Sequence, residues 1–172
     1  TRSEISPGPS GTPNPRDLRV VLLYKRQLAT DEHVLALLET ELSGQGYRVW
    51  VDRNLNLGVE WAKEIDQQIR SAHAVIPLLS ESAARSEMMG FEIENAHEAA
   101  QQQQGRPSLF PVRIGSTGPL PEPLAGILDP IHCVHWEGPQ HDQRLIGEVM
   151  AALRNLWPAK PALRVLPGKG VR

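Results

Sequence analysis

The strongest constraint in this chain of 172 residues is a rhythm. Short apolar runs, each too short for a helix, alternate with longer stretches whose apolar residues recur every three or four positions. The runs are RVVLLY from Arg19, YRVWV from Tyr47, AVIPLLS from Ala74, SLFPVRI from Ser108 and HCVHW from His132. Rich in Val, Leu and Ile, they read as strands covered on both faces. After Thr30, Asp31 and Glu32, the residues Val34, Leu35, Leu38 and Leu42 fall at helical spacing; Thr30 is expected to cap this helix and the two acids to suit its positive end. EWAKEIDQQIRSA sets Trp61, Ile65 and Ile69 four apart on one helical face. A third helix is expected to start at Ser86 and to fray at the glutamines Gln101 to Gln104. A last one spans Asp142 to Leu156, with Leu145, Ile146, Val149, Met150 and Leu153 as its apolar face. Parallel strands need crossover connections, and helices supply them while covering the sheet, so the fold class is doubly wound α/β with a parallel sheet. In such sheets ligands gather beyond the carboxyl ends of the strands, where strand order reverses.

The ends of the chain break the rhythm. TRSEISPGPSGTPNPR, residues 1–16, is rich in Pro, Gly and Ser and reads as a flexible leader; residues 17–157 read as the folded domain; residues 158–172, PAKPALRVLPGKGVR, read as a linker or tail leading to another module. Thr1 in place of Met makes the sequence read as a fragment. A hydrophobic share of 40% supports one core. The net charge of -2 gives no bulk attraction to nucleic acid or anionic lipid. No apolar run reaches the ~20 residues of a membrane span. The single Cys133 cannot form an intrachain disulfide, which fits a reducing compartment, and a cytoplasmic location is expected.

Among candidate sites, metals fare poorly. HEAAQ at His97 to Gln101 has Gln101 where a zinc-protease helix needs its second histidine, and HCVH puts Cys133 and His135 on one strand face and His132 on the other, too few ligands for a closed zinc site. Neither G-x-x-x-x-G-K-[ST] nor G-x-G-x-x-G after the first strand is present. Glu92 in SEMMGFEIENA stands in the second turn of the helix leaving AVIPLL, at the height of the crevice lip. Without further information it reads as a solvated carboxylate like Glu87, Glu94 or Glu98, with periodicity not separating them. Trp50, Trp61 and Trp136 read as packing residues, Ser80 as a strand-end turn residue and Ser86 as a helix cap.

Taken in order, RVVLLY, VWVDRNLNLG with Trp61 three residues on, VIPLLS, and S-x-x-x-x-x-E from Ser86 to Glu92 resemble the TIR domain, particularly its bacterial and plant-like forms. The likeness covers roughly Arg19 to Trp157. It implies a flavodoxin-like fold with a five-stranded parallel sheet. It also implies two activities: self-association, and cleavage of the nicotinamide-ribose bond of NAD+. In the enzymatic members a glutamate within S-x-W-C-x-x-E is catalytic, and here that position is Glu92. Met88 and Met89 replace the aromatic and the cysteine of that segment, and Lys25 and Arg26 follow Tyr24 where the family often has serine. The two bases could pair with the pyrophosphate of the dinucleotide. Leu57 before Gly58 makes the loop after the second strand look more bacterial than receptor-like.

The resulting expectation is a self-assembling NAD+ hydrolase or cyclase with Glu92 as the catalytic carboxylate and Tyr24, Lys25, Arg26, Asp52, Trp61 and Ser86 around the substrate. NAD+ is substrate, with no separate cofactor and no metal. The partners are other TIR domains, with neither nucleic acid nor membrane. The setting implied by resemblance is the effector module of a bacterial antiviral defence protein. The competing class is a non-enzymatic scaffold that recruits other TIR domains through the same surfaces. A receiver domain of the same fold would need an acidic cluster after the first strand, and Tyr24-Lys25-Arg26 argues against it.

Overall fold

The computed structural model describes residues 18–25, 29–51, 59–115 and 118–156, with the backbone alone at 59–61. The elements run β1 (Arg19–Leu23), α1 (Ala29–Gly44), β2 (Arg48–Val51), α2 (Val59–Ser71), β3 (Ala74–Leu79), α3 (Glu81–Ala84), α4 (Glu87–Gln102), β4 (Ser108–Leu109), β5 (Val112–Ile114), α5 (Leu124–Leu128), β6 (Val134–Trp136) and α6 (Asp142–Leu156). Every strand pairing is parallel, and the order across the sheet is β2-β1-β3-β5-β6.

The run SLFPVRI, expected as one strand, is two. Ser108 and Leu109 pair with Ala74 and Val75 at the start of β3, while Val112 and Arg113 pair with Leu78 and Leu79 at its end. Pro111 has no N–H to offer a ladder, and the strand breaks around it. In position, β4 and β5 are one interrupted strand, and the sheet is the flavodoxin-like order 2-1-3-4-5.

Side chains alternate along the strands and so build two cores. Val20 and Leu22 join Val34, Leu38 and Leu42 of α1 and Leu145, Val149 and Leu153 of α6 on one face. Val21 and Leu23 join Ile65 and Ile69 of α2, Met89, Ile93 and Ala96 of α4, and Leu124 and Leu128 of α5 on the other. β3 lies between both layers, and all six of its residues are buried. Burial of a large aliphatic side chain is worth about 1.5–3 kcal/mol, and the two clusters hold the helices on the sheet.

Two local expectations change. Thr30 lies inside the first turn of α1, which begins at Ala29, so Thr30 is not its cap; its Oγ1 donates to Oδ1 of Asp31 at 3.2 Å instead. The segment after β3 carries one more helix than the sequence suggests: Ser80 caps the short α3 by accepting from the Ala83 N–H, and Ser86 then caps α4. The glutamine tract ends α4 at Gln102, and Gln104 turns into the left-handed region at φ 63°.

Candidate active site

The chain order reverses between β1 and β3, since β2 lies to one side of β1 and every later strand lies to the other. The carboxyl ends of these two strands form the switch point, beyond which sheets of this order collect ligands. Three polar side chains are buried among the described residues, Asp31, Ser80 and Glu92. All three come from segments that leave β1 or β3 at this end: Asp31 from the first turn of α1, Ser80 from the residue after β3, and Glu92 from the second turn of α4. Burying a polar or charged group costs free energy, and here that cost is concentrated at the switch point.

Glu92 is 3% exposed, whereas Glu87, Glu94 and Glu98 of the same helix are exposed. It is therefore not the solvated carboxylate that it reads as when the family likeness is left aside. The spacing does separate it: Met89 precedes it by three residues, and Ala96 and Ala99 follow by four and seven, all buried. At 100° per residue the other three glutamates fall on the opposite side of α4. A wheel drawn through Met89, Ile93, Ala96 and Ala99 places Glu92 within their stripe.

The sequence reading missed Asp31. It is fully buried and accepts a 2.8 Å hydrogen bond from Ser80 Oγ. Burial pushes its carboxyl above the ordinary value, the hydrogen bonds from Ser80 and Thr30 offset part of that, and Glu32 adds to it. The α1 spacing sets Asp31 in the stripe of Val34, Leu35, Leu38 and Leu42, three, four, seven and eleven residues on, but its hydrogen-bond partner lies 49 residues away and no local pattern shows it.

Of the other expected site residues, Tyr24 and Lys25 follow β1 directly and are half-buried. Tyr24 packs against the core on the α1 and α6 face, the side of the sheet opposite to α4. Ser86 accepts from the Met89 N–H at 3.3 Å as the cap of α4. It also borders a groove of about 330 Å³ shared with Gly90, Phe91, Glu94, Pro121 and Leu124, on the other side of α4 from the Glu92 stripe. Arg26 and Asp52 lie outside the described residues, as does the side chain of Trp61. Among the described residues no group of three or more His, Cys, Asp or Glu could hold a metal ion. No described helix is long and apolar enough to cross a membrane.

A buried carboxylate at the end of a parallel sheet can stabilise positive charge that develops on a bound ligand, because little water screens it there. The fold alone leaves the ligand open. The TIR domains of the activated Roq1 resistosome directly recognizing the pathogen effector XopQ superpose with a TM-score of 0.58, at 14% identity over 80% of this chain and 99% of theirs. A prokaryotic SEFIR domain gives 0.54, at 16% identity over 90% of this chain and 100% of its own. Rubredoxin:oxygen oxidoreductase from Desulfovibrio gigas gives 0.56, at 17% identity over 80% of this chain and 36% of its own. At these identities the likenesses establish the fold and no more. No curated protein sequence matches. The family model of the TIR domain, however, matches residues 20–149, a span that takes in both strands of the switch point, Asp31, Ser80 and Glu92, and the chain belongs to the TIR domain family.

Proposed function

We propose that this TIR domain cleaves the nicotinamide-ribose bond of NAD+, with Glu92 as the catalytic carboxylate, and that self-assembly activates it. The observation that carries this reading is the burial of Glu92 beside exposed neighbours on one helix. An ionisable group buried at an energetic cost near the switch point of a parallel sheet is a functional candidate on physical grounds. The nicotinamide of NAD+ already carries positive charge, so it leaves with the electron pair of the C–N bond and becomes neutral without a general acid. Positive charge then appears at the ribose C1′ as an oxocarbenium ion. Glu92 stabilises that charge, and ribose contacts hold the sugar in place. Water adds at C1′ and loses a proton to give ADP-ribose; attack by a ring nitrogen of the adenine gives the cyclic product instead.

Tyr24, Lys25, Arg26, Asp52, Trp61 and Ser86 are the proposed surroundings of the dinucleotide, the bases serving its pyrophosphate. The domain is proposed to act in the cytoplasm as the effector module of a bacterial antiviral defence protein, with residues 158–172 leading to another module. The test is nicotinamide release from NAD+ at high protein concentration or with the domain tethered into clusters, comparing the native chain with Glu92→Ala. Loss of release with the fold intact supports the reading, and equal rates in the two proteins reject it.

One observation favours a second reading, a non-enzymatic TIR-TIR scaffold. Phe91 is 43% exposed, the large hydrophobic side chain that the described surface leaves in water, and it borders the groove between α4 and Pro121 to Leu124. In that case Phe91→Ser abolishes association while Glu92→Ala changes nothing measurable.

A further inference from the structure

We infer that Asp31 is a positioning residue: through Ser80 and α3 it sets the place of the first two turns of α4, and so of Glu92. A continuous path of hydrogen bonds leads there. Ser80 Oγ donates to Asp31 Oδ2 at 2.8 Å and accepts from the Ala83 N–H at 3.2 Å. The Ala83 carbonyl accepts from the Ser86 N–H at 3.0 Å, and Ser86 Oγ accepts from the Met89 N–H at 3.3 Å. Met89 stands one turn before Glu92 on the same stripe. Each link is a side chain or backbone group at the end of an element, where orientation is set.

The need for such a path follows from α3. A helix of four residues is too short to be stable alone, so its direction depends on what holds its ends. Apolar packing of Met89, Ile93, Ala96 and Ala99 decides which side of α4 faces the sheet. Directed hydrogen bonds from the end groups add a second constraint, fixing where the helix starts along its axis. Asp31 also anchors the path to the other strand of the switch point, since it sits at the start of α1, which follows β1. Thr30 Oγ1 holds the second carboxylate oxygen at 3.2 Å and fixes the direction in which Oδ2 points. The buried carboxylate is thus the acceptor that couples the segment after β1 to the segment after β3.

The inference rests on the proposed role of Glu92 for its catalytic readout and carries a second readout that does not. Asp31→Ala, with Ser80→Ala as the partner variant should the first fail to fold, is expected to lower kcat for nicotinamide release about tenfold to a hundredfold with KM little changed, at a temperature well below unfolding. Asp31→Asn keeps an oxygen to accept from Ser80 and restores most of that rate. Glu98→Gln, exposed on α4, serves as the control. Independently, amide hydrogen exchange at Met89 and Gly90 is expected to quicken in Asp31→Ala and Ser80→Ala relative to Val75 and Ile76 in β3. A purely structural role would quicken all four together. Native kcat in both variants, or uniform exchange, overturns the inference. A native protein that releases no nicotinamide even when clustered removes the enzymatic reading, and the exchange pattern then decides the positioning role alone.

Discussion

The indole Nε1–H of Trp136 donates to Oδ1 of Asp142 at 2.8 Å, tying the last residue of β6 to the first residue of α6. His33 of α1 completes the junction, with Nε2 at 3.1 Å from Asp142 Oδ2 and its ring 5.4 Å from that of Trp136. Trp136 is 3% exposed, so Asp142→Ala leaves a buried donor without its acceptor. The expected loss is about 1–3 kcal/mol, with Asp142→Asn costing less and the exposed His33→Ala costing at most about 1 kcal/mol. Urea unfolding of the three variants checks the order.

Neighbouring positions on α4 are expected to differ sharply. Ile93 is fully buried between α2, the sheet and α5, and Ile93→Ala should destabilise by about 2–5 kcal/mol through lost transfer energy and a cavity. Phe91 is mostly on the surface, and Phe91→Ala should stay within about 1 kcal/mol of the native chain. Thermal unfolding of the pair measures the contrast, and similar losses in both would mean that α4 is rotated from the orientation described.

Burial pushes the Cys133 thiol above its ordinary range; Arg113 offsets part of this and Asp129 adds to it. The thiolate is the reactive species, so the folded chain should react several-fold more slowly with a disulfide reagent near pH 8 than the urea-unfolded chain. Equal rates would place the thiol in water.

How far the sequence was legible depends on the range of the interactions involved. The last helix was readable to its ends, since Leu145, Val149 and Leu153 recur every four residues and nothing distant is needed to see it. AVIPLL was readable as doubly covered because it contains no polar residue, and every one of its side chains is buried. The break in SLFPVRI was signalled by Pro111 but depends on which residues of β3 each half finds. Asp31 shares the stripe of Val34, Leu35 and Leu38, so its burial is legible in the spacing, whereas its partner Ser80, far along the chain, is not. Glu92 lies between these cases: its stripe is present in the spacing of Met89, Ala96 and Ala99, but the helix carries three outward glutamates of the same residue type. The family likeness supplied the register that local physics would also have given.

The raised value of Asp31 makes a signed prediction. In the folded chain its carboxyl keeps its proton to higher pH than in the unfolded chain, where the ordinary value is 3.8. Below 3.8 the group is neutral in both states and its contribution to stability is fully present. As pH rises through the folded value, the buried group must ionise and that contribution is lost. Asp31→Asn does not ionise. Its stability relative to the native chain should therefore climb from acid toward neutral pH and then level off, as followed by urea unfolding at a series of pH values. A flat difference across that range would mean that Asp31 ionises as readily in the fold as in water.

Glu92→Gln keeps volume and shape while removing the charge, so it separates the two roles that a buried glutamate can have. If the charge serves the fold, its removal should destabilise; a buried ion pair broken on one side costs about 3–5 kcal/mol. If the charge serves a reaction at the crevice, the fold gains or loses little, because a neutral amide is easier to bury than a carboxylate. The expected outcome is a chain that still unfolds cooperatively well above the assay temperature, together with a fall in nicotinamide release of about a hundredfold or more, the scale on which losing a preorganised electrostatic group acts. Calorimetry and the release assay are run on one preparation. Unfolding at low temperature with proportionate loss of release would assign Glu92 to the fold; intact stability with undiminished release would move the chemistry elsewhere in the crevice.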